Sequence, residues 1–76
     1  MIIKSYLVFP VEGQLAELVT ALESMPECEV TEATNRNLVV LVTETENETA
    51  EKNLEAVLNK IPSLQALTLV SGHNEG

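Results

Sequence analysis

The chain has 76 residues, with twelve acidic and four basic side chains and a net charge of −8. Such a negative field repels nucleic acid and anionic membranes and favours a cationic partner. Hydrophobic residues make up 45% of the sequence, which excludes a disordered chain.

Cys28 is the only cysteine, so an internal disulfide and a multi-thiolate metal site are excluded and a reducing compartment fits best. No apolar run approaches the ~20 residues of a membrane span, and the first residues lack the features of a signal peptide. We expect a cytoplasmic protein without membrane insertion, folded as one domain over residues 1–76.

The first half of the chain reads as strand, helix, strand. A strand is predicted at residues 2–9 and a second one at 28–34. Between them, apolar residues follow the three-and-four spacing of one helical face, and Pro26 stops the helix. The residues of that face are Leu15, Leu18, Val19, Leu22 and Met25.

The second half repeats this unit after a shift of 36 residues. LVTALESMPEC (18–28) then falls on LEAVLNKIPSL (54–64), and Ile2-Ile3 falls on Leu38-Val39. A third strand is predicted at 37–44 and a fourth at 64–71. The apolar face of the second helix consists of Ala50, Leu54, Val57, Leu58 and Ile61.

Two short polar segments connect these elements. The sequence EATNRN, residues 32–37, is predicted to turn the central hairpin. Residues 45–48, TENE, are interpreted as a capping box that opens the second helix. The element order is therefore βαββαβ. Because crossovers are right-handed, both helices lie on the same side, and the fold class is α+β: a ferredoxin-like sandwich with a four-stranded antiparallel sheet.

The third strand contains an unbroken apolar run, LVVLV, which requires cover on both faces of the sheet. Two helices cover one face, and this chain has nothing left for the other. Since a lysine in a central strand should point away from the core, Lys4 is taken to mark the open face. The residues then predicted to line the open face are Tyr6, Val8, Leu38, Val40, Val42, Ala66, Thr68 and Val70. The inward set becomes Ile3, Leu7, Val39, Leu41, Leu67 and Leu69, and a slide of one residue exchanges the two sets.

The sequence shows no catalytic or metal-binding constellation, and we expect neither enzyme activity nor a cofactor. The first loop, FPVEGQ, lacks the paired cysteines of a copper carrier, and the single arginine, Arg36, reads as a solvated turn residue. His73 lies in a polar tail without a second ligand nearby. Cys28 aligns with Leu64 in the repeat, which favours a small core residue. An uncovered apolar face indicates a binding module, with a dimer pairing two such faces as the alternative.

Three segments at matching spacing resemble the NapD family: ALESMPECEV, then NLVVLVTETENETAEKNLEAVL, then LTLVSGH. The likeness runs from Ser5 to His73. It implies a chaperone of the periplasmic nitrate reductase that binds the twin-arginine signal peptide of the NapA precursor as a helix on the sheet. It also implies that the precursor is held back from the Tat translocase until its cofactors are inserted.

An acidic protein with an apolar face suits such a peptide, which is cationic at one end. Three glutamates are predicted to complement the arginine pair: Glu29, Glu32 and Glu44. Lys4 conflicts with this interpretation if it lies on the same face. The competing classes are an ACT-like small-molecule regulatory domain, which Gly13 in the first loop keeps open, and a structural dimerisation module. The protein is expected to be a monomer or a weak homodimer that binds no nucleic acid.

Overall fold

The computed structural model describes residues 1–33 and 36–74, the last two by their backbone alone. The described residues form four strands and two helices in the predicted order βαββαβ. The elements are β1 (Ile2–Pro10), α1 (Leu15–Glu23), β2 (Cys28–Glu32), β3 (Val39–Thr45), α2 (Glu48–Leu58) and β4 (Leu64–Asn74). Part of the predicted central turn, together with the last residue of the predicted second strand, lies outside the described residues.

The strands form one antiparallel sheet in the order β2-β3-β1-β4. The two central strands come from different halves of the sequence and pair directly, with Tyr6 opposite Leu41 and Leu7 opposite Val40. Directly opposed residues point to the same face of the sheet. The predicted ferredoxin-like α+β fold is confirmed by this topology.

Both helices pack on one face of the sheet and enclose the core. Leu18 and Leu22 of α1 and Leu54 and Leu58 of α2 are buried in a single apolar cluster. These four residues are equivalent in the sequence repeat, so the repeat correctly identifies the inward stripe of each helix. The strands contribute four further buried residues to the cluster: Tyr6, Val8, Val39 and Leu41.

The capping box predicted at residues 45–48 is wrong. Thr45 is the last residue of β3 and is buried, so it cannot serve as the N-cap. Asn47 caps α2 instead, and its side-chain oxygen accepts a hydrogen bond of 2.9 Å from the Ala50 amide. The helix begins two residues later than the box implies because the strand continues through Thr45.

The predicted orientation of β1 is also wrong. Tyr6 is 5% exposed and Val8 is fully buried, so both lie beneath the helices with Lys4, while Ile3 and Leu7 point away from them. The orientation of β3 is as predicted, since Val39 and Leu41 are fully buried.

The connections to the helices explain why β3 was placed correctly and β1 was not. Residues 11–14 join β1 to α1, whereas only Glu46 and Asn47 join β3 to α2. The shift of 36 residues that aligns the helices therefore does not align the strands in phase. Because side chains in a strand alternate between faces, a difference of one residue reverses the assignment of a whole strand.

Candidate binding surface

One face of the sheet carries no helix, and we call it the open face. The register and the alternation of side chains define its members. It is lined by Ile3, Ser5, Leu7, Phe9, Thr31, Val40, Val42, Ala66 and Thr68, all of which are at least partly exposed. Most of these side chains are apolar, and two glutamates join them at one end of the face, since Glu29 lies opposite Val42 and Glu44 opposite Ile3.

Several residues predicted for the open face do lie there. Val40 and Val42 stand on its central strand β3, while Ala66 and Thr68 lie opposite Phe9 and Leu7. Small side chains at positions 66 and 68 leave the β4 side of the face shallow.

Four other predicted residues are placed differently. Leu38 precedes β3 and is half-buried. Val70 lies where the pairing of β4 with β1 shifts register, and it is 60% exposed. Tyr6 and Val8 are buried in the helix-covered core, so they are removed from the candidate surface.

Sequence reasoning missed the residues of β1 that replace them. Ile3, Leu7 and Phe9 alternate along β1 and point to the open face. Side-chain size could not have found them, because each of the two alternating sets of β1 contains one aromatic residue, Tyr6 on the buried side and Phe9 on the open face.

Carboxylates gather where the open face ends beside β2. A cavity of about 390 Å³ there is lined by Ile3, Pro26, Glu27, Cys28, Glu29, Val42 and Glu44. Glu29 lies opposite Val42, and the Glu44 amide donates a 3.0 Å hydrogen bond to the Glu27 carbonyl. The cavity therefore has an apolar floor and a rim of three carboxylates. We call Glu27, Glu29 and Glu44 the acidic rim.

Glu32 does not belong to the acidic rim. It lies opposite Val39, whose side chain is buried beneath the helices, so Glu32 points to the other side of the sheet from Glu29. Glu27, which sequence reasoning left out, takes its place because the backbone ahead of β2 runs beside β3.

Lys4 lies on the helix-covered side rather than on the open face. Its Nζ donates a 2.6 Å hydrogen bond to Oε1 of Glu51 in α2, and their side chains are 24% and 10% exposed. The bond to Glu51 raises the pKa of Lys4. A cleft of about 600 Å³ adjoins this ion pair, lined by Ile2, Lys4, Glu48, Glu51, Lys52, Leu69 and Gly72. Lys4 was the one cation expected on the open face, and it does not lie there.

Cys28 packs against the core and is half-buried. Burial, with a smaller contribution from the charge of Glu27, raises the pKa of its thiol to about 11. A thiol that stays protonated at neutral pH is a poor nucleophile, in agreement with its interpretation as a core residue.

Residues 1–33 and 36–74 contain no group of three or more His, Cys, Asp or Glu side chains that could hold a metal ion. Neither described helix has the length and hydropathy to cross a bilayer.

A ferredoxin-like sandwich with one bare apolar sheet face and an acidic rim defines a class of small binding modules. The model of the NapD protein family matches residues 1–76, the whole chain, and the chain belongs to the NapD family. No curated protein sequence matches it. The NapD family is of the chaperone type rather than an enzyme family, and membership supports a Nap-related chaperone role with a nitrate reductase precursor as its partner in general terms.

Proposed function

We propose that this protein binds the twin-arginine signal peptide of a periplasmic nitrate reductase precursor. Binding takes place in the cytoplasm and holds the precursor back from the Tat translocase while its cofactors are inserted. Residues 1–76 act in this as one domain without catalytic activity. The observation that carries the proposal is the open face itself, which is mostly apolar and carries carboxylates at one end.

The first step of the argument is shape. Four β1 and β3 side chains, Leu7, Phe9, Val40 and Val42, form a central apolar band, and Ala66 and Thr68 beside it are short. A band with a shallow flank accommodates a cylinder such as an amphipathic helix. Helix-in-groove recognition buries apolar residues of the peptide at helical spacing against such a surface.

The second step is charge. A twin-arginine signal peptide joins an apolar segment to a pair of guanidinium groups at one end. The acidic rim supplies three carboxylates beside the apolar floor formed by Ile3 and Val42. Arginine forms its strongest hydrogen bonds with carboxylates, often with two parallel bonds. We therefore propose that the arginine pair lies at the acidic rim, and the apolar segment extends from there across Val40 and Leu7.

The sequence suggested a conflict, namely a lysine on the face that should receive a cationic peptide. The position of Lys4 removes this conflict. Its ammonium group lies on the far side of the sheet in an ion pair with Glu51. No lysine or arginine occupies a strand position on the open face of the described residues, so these strands place no fixed positive charge against a cationic peptide there.

The test is calorimetric titration with a synthetic signal peptide, combined with amide chemical-shift mapping. We expect one-to-one binding and shifts concentrated on the open-face residues of β1 and β3. A control peptide with both arginines replaced by glutamine should bind more weakly at the same site. Absence of heat, or shifts confined to the helices, would contradict the proposal. Binding of a free amino acid would favour the ACT-like alternative.

A further inference from the structure

The two edges of the sheet differ in length and in chemistry. β4 forms one edge with eleven residues, Leu64–Asn74, and β2 forms the other with five, Cys28–Glu32. An edge strand presents unpaired backbone N–H and C=O groups that can pair with another strand. Edges are usually protected by charged side chains, proline or short length. β2 carries two glutamates and is short, so it has that protection.

β4 lacks these three kinds of protection. Its sequence, LQALTLVSGHN, contains no Asp, Glu, Lys, Arg or Pro. Two of its large apolar side chains lie in solvent, since Leu69 is 54% and Val70 60% exposed. Leu69 lies opposite Tyr6, on the helix-covered side of the sheet, but neither helix reaches far enough to bury it. An exposed, uncharged edge with two apolar residues in solvent is able to pair with a further strand.

We propose that the occupant is a second copy of this chain, whose β4 pairs antiparallel with β4 about a two-fold axis. In such an interface residue i of one copy contacts residue j of the other and j contacts i, so charges of one sign on the strand would be brought close to like charges. β4 has no charge to repel itself, whereas pairing through β2 would bring Glu29 and Glu32 close to like charges. Among the two edges, only β4 is compatible with this symmetry.

The distribution of charge favours the same contact. A molecule with a net charge of −8 repels its copy unless the contact region is locally neutral. Beside Leu69, the cleft holds two lysines and two glutamates, so its formal charge is balanced. The acidic rim lies at the β2 end of the sheet, on the opposite side of the molecule. Association through β4 therefore keeps the acidic rims of the two copies far apart.

The register shifts in β4 limit the length of the contact without preventing it. They lie at Gln65 and Val70, where the pairing of β4 with β1 skips a residue, and leave Ala66–Leu69 regular. Bulges can protect an edge by twisting it. However, β2 pairs with β3 over a segment of only five residues in this same sheet, so a regular stretch of about this length is sufficient.

The geometry of the dimer follows from the axis. An antiparallel pair of edge strands is related by a two-fold axis perpendicular to the sheet, so both open faces lie on the same side of a continuous eight-stranded sheet. The helices of both copies lie on the other side. This proposal does not depend on what the open face binds.

The experiment is sedimentation equilibrium of the full chain from micromolar to millimolar concentration, at low and high salt. We expect a monomer–dimer equilibrium that strengthens as salt screens the mutual repulsion. Leu69→Glu and Leu69→Lys should each weaken dimerisation about tenfold or more, because a charge of either sign is brought against the uncharged partner strand. Val57→Glu is the matched control, since Val57 is 50% exposed but lies on α2.

The two signs of charge separate the proposal from general repulsion. If repulsion between acidic molecules alone governed association, Leu69→Lys would strengthen it and Leu69→Glu would weaken it. Hydrogen exchange should show concentration-dependent protection of β4 amides. A chain that stays monomeric at millimolar concentration overturns the proposal. A dimer that survives both Leu69 variants but is broken by Val40→Glu also overturns it, because the open faces would then be paired instead.

Discussion

Lys4 of β1 and Glu51 of α2 are joined by a 2.6 Å hydrogen bond between Nζ and Oε1, across the interface of the sheet and the second helix. The pair is mostly shielded from water, since the two side chains are 24% and 10% exposed. It allows a lysine to occupy the helix-covered side of a central strand, because its stem packs on apolar surface and its charge has a partner.

Removing one member of this pair should destabilise the fold. Exposed ion pairs contribute up to about 1 kcal/mol, and breaking a fully buried pair costs about 3–5 kcal/mol. For this partly shielded pair we expect Glu51→Ala to lower the free energy of unfolding by about 1–3 kcal/mol. The double variant Lys4→Met/Glu51→Leu should recover most of the loss because no unpaired charge remains. Urea denaturation measures both, and an equal loss in the two variants would contradict the role assigned to the pair.

Stability should fall in alkaline solution. Burial raises the pKa of the Cys28 thiol from 9.0 to about 11, and the pKa values of Lys4 and Tyr6 are also raised above 10.5 and 10.0. A raised pKa in the folded state contributes stability that is complete below the unfolded pKa and is lost as the pH rises through the folded value. For Cys28 the loss should be about 1–3 kcal/mol between pH 9 and 11.

The variant Cys28→Ala isolates this contribution. Its melting temperature should be less sensitive to pH than that of the parent chain from pH 9 to about 10, a range below the raised pKa values that Lys4 and Tyr6 have in the folded protein. Equal slopes for the two proteins would show that the thiol does not titrate as its burial requires.

Adjacent residues of β3 should respond in opposite ways to the same substitution. Val40→Glu should leave the free protein folded because its carboxylate faces water, and it should weaken peptide binding by roughly a hundredfold, since docking buries an unpaired charge. Leu41→Glu should unfold the domain, because Leu41 is fully buried in the core. Melting temperature and calorimetric affinity measure the two effects. Full affinity in a folded Val40→Glu variant would exclude the open face as the docking surface.

The same contrast on β1 tests the corrected orientation of that strand. Leu7→Glu should fold and lose peptide affinity, since Leu7 lies opposite Val40 on the open face. Val8→Glu should fail to fold, since Val8 is fully buried beneath the helices. Circular dichroism and thermal melts are sufficient for the comparison. The reverse result would place the docking residues at Tyr6 and Val8.

Charge at the acidic rim should act mainly on the rate of peptide association. Neutralising Glu29 and Glu44 to glutamine should slow association and reduce its dependence on salt, because rim charges steer the encounter and are screened over ~10 Å at 0.1 M ionic strength. Glu32→Gln changes the net charge by the same amount per residue but lies on the other side of the sheet, which makes it the matched control. Stopped-flow fluorescence with a labelled peptide measures the rates. An equal effect of Glu32→Gln would mean that net charge, rather than the rim, attracts the peptide.

The sequence predicted the fold well because its signals are periodic and repeated. Helical spacing placed Leu18, Leu22, Leu54 and Leu58 inward, and all four are buried. The open face could be recognised because two helices cannot cover both sides of a sheet that contains LVVLV. Which residues of β1 line that face could not be derived from single-residue preferences. Taken alone, a lysine at position 4 predicts that its side chain points to solvent on the open face. Only the tertiary contact with Glu51 explains why it lies on the helix-covered side.

Charge placement was predictable only in part for a similar reason. Glu29 and Glu44 were grouped correctly because β2 and β3 are adjacent strands. Glu32 was misplaced because three residues along a strand change the face, and Glu27 was missed because it precedes β2. The position of Glu27 depends on the 3.0 Å hydrogen bond that the Glu44 amide donates to the Glu27 carbonyl. No pattern in the sequence predicts this bond.

The strand order has a consequence for how the chain folds as it is made. β1 is the first strand to leave the ribosome, yet it pairs with β3 and β4, both of which belong to the second half of the sequence. β2 likewise pairs with β3 alone. Neither half can assemble its part of the sheet without the other, so the closing contacts are long-range and carry a loop-closure cost that slows folding. The open face is complete only after β4 has emerged, because Ala66 and Thr68 of that strand form its flank.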